Sequence, residues 1–502
     1  MNKKPTILLL SDDIRTRSGV ATISRQLIKG SVDSYNWIQL GARIKAEDEG
    51  QVIDMSNEFK TNGNDDVSVL VYPSSGYGDA HKIRTLMSTH KIDAILHYTD
   101  PRYWQWLYEL SYEIRRQIPI FYYHVWDNYP TPKYNTAYYK SCDLIMNISR
   151  QTHDIVKELV PDAVDLENGL KYEKDKVHIS YVPHGINPNE FKPLSKEKPG
   201  DFVQTEEDSN ILVTEFEAME KYKQDIFGPY ADKFKFIIFF NNRNIHRKCP
   251  SDLIYGYKLF MDSLSEEERS EIVLLLHTAP IEQFGTDLIK TVEDLCPDYP
   301  VYFSANKIET QKLNYLYNLA SVTVSPSSAE GFGLSTAESI MAGTPMIATI
   351  TGGLQDQMGW VEASDKKEIH NFKHVTKNSK GMYIHGKWAY PLKPVSKITG
   401  SPATPYIYDD VVGFEEISQT LHKVWENKDS LKEDGLVGRK WMLDNVLNSD
   451  YMINRFKQSM NFILENWQPI EQLTLIKFNS NNYKESETTK FIVEEGKKDD
   501  KK

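Results

Sequence analysis

Short apolar runs alternate with helical patterns along most of the chain. In the first part they fall at Thr6–Leu10, Val67–Tyr72, Ala94–Tyr98, Ile118–His124, Leu144–Asn147 and His178–Val182. Runs this short, bounded by turns and spaced by helix-period segments, predict βαβ units stacked around a parallel sheet, here over residues 1–185. The sequence PHGINPNEFKP, Pro183–Pro193, interrupts the pattern with Pro, Gly and Asn and marks a crossing between domains. Residues Leu194 to Lys233 are polar and charged, with a helix-like stretch near Glu215–Tyr222, so 186–233 is read as the crossing plus an insertion. A second series, Lys235–Phe240, Ile272–His277, Val301–Phe303, Val322–Ser325 and Met346–Thr349, predicts a second α/β domain over 234–438. Within 439–469, Ile453, Phe456, Met460 and Ile463 recur at helical spacing and form one apolar stripe. From Ser480 the chain turns polar and ends KKDDKK, so 480–502 is expected to be disordered.

With 502 residues the chain can build two cores, and its 40% hydrophobic content is ordinary for a folded protein. The opening MNKKPTILLLSDD carries too short an apolar run for a signal-peptide core and is read as a buried first strand. No apolar segment approaches the roughly 18 residues that cross a bilayer. Cys142, Cys249 and Cys296 are scattered, offering neither a disulfide framework nor a zinc spacing, and a reducing cytoplasm is the expected location. A formal net charge of −12 disfavours nonspecific binding to nucleic acid or membranes by the body of the protein. There is no Asp-x-Asp between apolar flanks and no His/Asp cluster at metal-ligand spacing, so chemistry without a metal or resident cofactor is expected.

Residues Ser327 to Pro345, SSAEGFGLSTAESIMAGTP, hold the densest chemistry. Glu330 precedes the turn Gly331-Phe332-Gly333, and an Ala-rich helical run from Leu334 carries Glu338 before stopping at Gly343-Thr344-Pro345. Glycines at a loop-to-helix junction let backbone N–H groups approach a diphosphate, which the helix N-terminus also favours. A carboxylate on either side can accept hydrogen bonds from vicinal sugar hydroxyls. The block resembles the EGFGL…E signature of glycosyltransferase family 4, the group 1 type of retaining glycosyltransferases. That resemblance implies a GT-B fold: α/β, two Rossmann-like domains facing a central cleft, with a C-terminal helix crossing back to the first. It gives the first domain the acceptor and the second a nucleotide-diphosphate sugar as co-substrate.

The resemblance implies roles residue by residue. Glu330 would hold donor-sugar hydroxyls, Glu338 the ribose, and Gly331, Phe332, Gly333 and Leu334 the phosphates. Arg243 and Lys248, in FFNNRNIHRKCP, match an Arg-x4-Lys pair that meets the donor phosphates, while Arg247 is expected at the surface. His124, at the end of an apolar strand, would lie against the donor sugar. Gly352 and Gly353 resemble a second glycine turn with Asp356 near its acidic residue, and Lys307 and Ile308 occupy the nucleobase region. Ser18-Gly19-Val20 partly matches the family's Gly-Gly-Val turn, with Ser18 in the first glycine's place, so Gly19 is a donor or acceptor contact. Arg15, Arg17, His97, Asp100 and Asp127 are the candidates on the acceptor side, the arginines for an anionic acceptor. Catalysis would be a same-face displacement in which the departing phosphate helps deprotonate the acceptor hydroxyl.

Departure from the family pattern begins after Gln357. Val361–Gly400 carries eight lysines against three acidic residues, with Tyr383, Trp388 and Tyr390 interleaved, within an insertion at about 361–408. A basic aromatic loop could recognise a polyanion such as DNA with modified bases, or be a solvated insertion packed on its own aromatics. The acceptor is thus a hydroxyl on a glycan, a small molecule or modified nucleic acid. A non-catalytic sugar-nucleotide-binding or assembly protein and a GT-B epimerase are the other readings.

Overall fold

The computed structural model describes residues 4–60, 65–205, 211–363, 368–369, 383–400 and 402–471. The first sheet has nine strands, in the order Ile53–Asp54, Val69–Ser75, Asn36–Arg43, Thr6–Asp12, Ala94–Tyr98, Ile120–His124, Leu144–Asn147, His178–Tyr181 and Val164–Asp165. All neighbours are parallel except the first pair. Asn36–Arg43 was not anticipated from the apolar pattern. Gln39 sits in its middle, only 1% exposed, donating from Nε2 to Ser11 Oγ and the Asp12 carbonyl (both 2.8 Å) and accepting the Ile14 N–H at 3.1 Å. These bonds let a polar side chain occupy a central strand without a desolvation penalty.

The second sheet is parallel throughout, in the order Val301–Phe303, Ile272–His277, Phe236–Asn241, Val322–Ser325, Met346–Thr349 and Ala389–Leu392. Its last strand corrects the expectation for 361–408, because part of that insertion completes the second sheet. Trp388 is buried against Trp441 and donates its indole N–H to the Gln357 carbonyl at 3.0 Å, so its ring belongs to the core. Five of the eight lysines, Lys366, Lys367, Lys373, Lys377 and Lys380, lie outside the described residues, as do 480–502.

Among the described residues, the crossing, the returning helix and a hairpin each join the halves. Ile186, in the outgoing crossing, donates its N–H to the Leu447 carbonyl and accepts from Ser449 N–H, both at 3.1 Å, so the outgoing and returning chains run side by side. The returning helix, Ser449–Asn466, lies on the first domain. Phe456 is fully buried and stacked on Trp37, Tyr35 donates its hydroxyl to Asn461 at 2.6 Å, and Ser459 meets Ser180. The apolar stripe therefore covers the first sheet, as the GT-B pattern requires. A hairpin, Ser396–Thr399 with Tyr408–Val411, arches from the second domain to the first: Ile407 is buried in the first domain's core, and Asn128 Nδ2 donates to the Tyr408 carbonyl at 2.9 Å. The segment 194–233 supplies a helix, Glu215–Phe227, opened by a Thr214/Glu217 capping box and packed through Met219 on Tyr315. Among the described residues no helix is long and apolar enough to cross a membrane.

Candidate active site

The loop 327–333 joins a buried strand, Val322–Ser325, to the helix Leu334–Met341. Gly333 begins that helix at φ +91°, a conformation that only glycine adopts without strain. Glu330 stands at the start of the turn and is met by two cations from the loop after strand Phe236–Asn241. Lys248, 5% exposed, forms an ion pair with the Glu330 carboxylate, and Arg247 Nη1 lies 3.1 Å from the same oxygen. Arg247 also donates to the Ala329 carbonyl at 2.8 Å, and its own carbonyl accepts the Ser328 N–H, so the two loops are stitched together. Burial alone would raise the Glu330 carboxyl; Lys248 and Arg247 reverse this and hold it below the ordinary range. Burial in turn depresses the Lys248 ammonium.

From the first domain, Asp127 reaches this cluster. Its carboxylate is 3.7 Å from Arg247, and a Cβ placed on Gly331 would lie 2.8 Å from its Oδ1. Desolvation raises Asp127, while on Arg247 the charges of Asp127 and Glu330 outweigh desolvation and raise the guanidinium. Gly19 also faces the start of this helix, since a Cβ there would meet Leu334 at 3.6 Å. Gly352, at φ +47°, and Gly353 are packed on the backbone of Glu330 and Gly331, and Gly353 donates its N–H to the Glu330 carbonyl at 2.9 Å. The two glycine turns are therefore interlocked. Asp356 bridges the domains, accepting the Arg150 N–H at 2.8 Å and the Tyr181 hydroxyl at 3.2 Å; burial pushes its carboxyl up to about 7.

Glu338 lies on the helix beyond the turn. Tyr317 donates its hydroxyl to Oε2 at 2.7 Å and is itself held by Asn241 Nδ2 at the same distance. Burial pushes the Glu338 carboxyl up to about 7, with the charge of Glu190 in the crossing adding to the effect. Phe332 closes the other side of the loop, edge-on to His184 at 5.0 Å between ring centroids. Lys307 and Ile308 border a cavity of about 640 Å³ that is also lined by Tyr222 and Asp225 of the insertion helix.

Several candidates stand elsewhere. His124 is fully buried, bonded through Nδ1 to Asn147 Oδ1 and through Nε2 to the Tyr139 hydroxyl, both at 2.9 Å. It is a core residue rather than a cleft group, and burial lowers its pKa to about 4. His97 is likewise interior, bonded to Tyr108 at 2.7 Å and Thr99 at 3.1 Å. The histidine that meets Phe332 of the loop 327–333 is His184, in the crossing, where Pro-His-Gly was the available signal. Arg243 is 63% exposed and 3.4 Å from Glu282, whereas Arg247, expected at the surface, is the arginine beside Glu330. Arg15 is held by Asp13 and Asp48, each at 2.6 Å, so it does not offer a free charge to an anion; Arg17 is exposed. Asp100 pairs with Arg102. No three His, Cys, Asp or Glu side chains form a metal-ligating group among the described residues.

Residues 301–360 match the family model described as glycosyl transferases group 1. That span contains Lys307, Ile308, Glu330 to Leu334, Glu338, Gly352 and Gly353. No curated protein matches the chain by sequence. Among solved structures, the sucrose-phosphate synthase of Thermosynechococcus elongatus superposes with a TM-score of 0.59 at 13% identity, over 92% of this chain and 100% of that one. Anabaena HepE, solved with UDP-glucose, gives 0.56 at 12% identity over 91% and 99%. A glycosyltransferase from Rickettsia africae gives 0.56 at 14% identity over 92% and 99%. These likenesses establish the GT-B fold, and the match over residues 301–360 gives the second domain a segment of the glycosyl transferases group 1 type.

Proposed function

We propose that this enzyme is a retaining, metal-independent glycosyltransferase that moves a sugar from a nucleotide diphosphate to a hydroxyl acceptor. The observation that carries the reading is the cluster of Lys248, Arg247 and Glu330 at the N-terminus of the helix Leu334–Met341, with Asp127 and Gly19 of the other domain against it.

In this reading Glu330, kept ionised by its two cations, accepts hydrogen bonds from donor-sugar hydroxyls, and Glu338 holds the ribose. As the glycosidic bond breaks, negative charge grows on the departing diphosphate. Fixed cations near that point stabilise it without a metal, because they are already desolvated and oriented. Lys248 and Arg247 are the candidates for this, and the exposed Arg243 is the third. The departing phosphate oxygen takes the acceptor proton on the same face, so no side-chain base is assigned. Anabaena HepE, solved with UDP-glucose, makes UDP-glucose the first donor to try. The three cysteines are unpaired, which suits a reducing cytoplasm.

The test is a thermal-shift panel of UDP-, GDP-, ADP- and TDP-sugars with and without EDTA, since a ligand bound only by the native state raises apparent stability. A selective, EDTA-insensitive shift, followed by anomer-resolved NMR of the product, is the expected result. No shift with any donor, or an inverted product, overturns the reading.

A further inference from the structure

We infer that the acceptor is an uncharged saccharide, seated on the stacked rings of Tyr77 and Tyr103 with the Asp12 carboxylate among its hydroxyls; this rests on the glycosyl-transfer reading above. Tyr77 follows strand Val69–Ser75 and Tyr103 follows strand Ala94–Tyr98, so both leave the C-terminal edge of the first sheet, where ligands of open α/β sheets gather. Their rings lie 4.8 Å apart at an interplanar angle of 6°. Tyr103 is 57% exposed, which leaves a flat aromatic face open to a ligand.

The pair is braced from behind. Tyr77 stands edge-on to the buried Trp104 at 5.8 Å, and Trp106 Nε1 donates to the Tyr77 carbonyl at 3.2 Å. A rigid aromatic face of this kind complements the C–H face of a pyranose, which is the apolar side of an otherwise polar molecule. Asp12 ends the strand Thr6–Asp12 between the two tyrosine-bearing strands, and its Oδ2 takes the Ser18 hydroxyl at 2.7 Å. The charges of Asp12 and Asp100 add to burial in raising the Tyr77 phenol, so these groups share one neighbourhood. Ser18 adjoins Gly19, which faces Leu334 of the donor loop. The platform and the donor clamp thus flank the same cleft.

Charge decides the class of acceptor. Arg15 and Arg43 are both held by Asp13, at 2.6 and 2.9 Å, and Arg102 is paired with Asp100 while its guanidinium covers Trp126. A phosphorylated acceptor entering here would meet the Asp12 and Asp100 carboxylates and, apart from the exposed Arg17, arginines whose charge is already matched, and like charges at short range oppose binding. A neutral polyol meets a hydrogen-bond acceptor and an apolar face, and needs no free cation.

The experiment uses the full chain with UDP-glucose, GDP-mannose or ADP-glucose as donor. Methyl β-glucoside, maltose, glucose 6-phosphate and hydroxymethylcytosine-containing duplex DNA are compared by ligand-observed NMR and by mass spectrometry of the products. The expected result is binding of and transfer to the neutral saccharides, with Tyr103→Ala raising the acceptor KM about tenfold and leaving the donor-induced thermal shift in place. Preference for glucose 6-phosphate or DNA, no binding of either neutral saccharide, or an unchanged acceptor KM in Tyr103→Ala overturns the assignment while an intact donor shift leaves the glycosyl-transfer reading standing. Loss of all donor binding in the wild type overturns both.

Discussion

Replacing Glu338 with Gln should stabilise the protein at alkaline pH and at the same time remove its response to donor. The carboxyl is pushed from its ordinary value near 4.5 to about 7, chiefly by burial. Between those values the folded chain keeps a proton that the unfolded chain has released, so stability falls as pH rises through this window and the loss is complete above about 7. At full effect that displacement is worth about 3 kcal/mol, and the partial exposure of the side chain reduces it to about 1–2 kcal/mol. Glutamine still accepts the Tyr317 hydroxyl but never carries the buried charge. At about 2–4 °C per kcal/mol for a domain of this size, the variant should melt about 2–8 °C above the wild type at pH 8.5, with the gap closing by pH 4. Thermal scanning across that range measures it, with UDP-glucose added in a parallel series to read the donor response. A gap that does not depend on pH, or a variant less stable than the wild type at pH 8.5, refutes the electrostatic argument; a variant that keeps the full donor shift refutes the ribose-binding role.

Lys248→Ala should lower turnover by about 10²–10³, as for loss of one fixed charge-stabilising donor, and should destabilise by less than the about 3–5 kcal/mol of a fully unpaired buried charge, because Arg247 still meets Glu330. Adding Glu330→Gln should restore the melting temperature without restoring kcat. Arg243→Ala, by contrast, removes an exposed side chain, so its melting temperature should match the wild type within the effect of about 0.5 kcal/mol expected at the surface, and any loss should appear in donor affinity. Ile407→Asp places a charge where the hairpin enters the first domain's core, and small-angle scattering should report a larger radius of gyration if that contact holds the cleft closed. His124 and His97 have pKa values lowered by burial to about 4 and about 3. The unfolded chain therefore takes up protons first as pH falls through about 6.5, so melting temperature should drop from pH 6.5 toward pH 4, with a shallower slope in His124→Asn.

Local rules made much of this enzyme legible. Apolar runs with turn punctuation located eleven of the strands, because burial on both faces leaves a continuous hydrophobic mark. The Glu330–Glu338 block carried its own loop, helix start and helix stop in nineteen consecutive residues, so the glycine turn and the helix behind it could be read without knowing their neighbours. The strand Asn36–Arg43 escaped because Gln39 interrupts the pattern, and its satisfaction depends on Ser11, Asp12 and Ile14, remote in sequence. Ala389–Leu392 escaped because it lies in a lysine-rich stretch whose Trp388 finds its partner, Trp441, only in three dimensions.

Residue types and their order thus determined the fold class and the loop-to-helix turn that carries Glu330 and Glu338, since periodicity, capping and glycine turns act over a few residues. Tertiary structure decided which charges count. Arg247 rather than Arg243 meets Glu330, His184 rather than His124 faces Phe332 of the glycine turn, and Arg15 is neutralised by Asp13 and Asp48. Pairing and desolvation depend on which side chains the folded chain brings within a few ångströms, and that is not written in any local stretch of sequence.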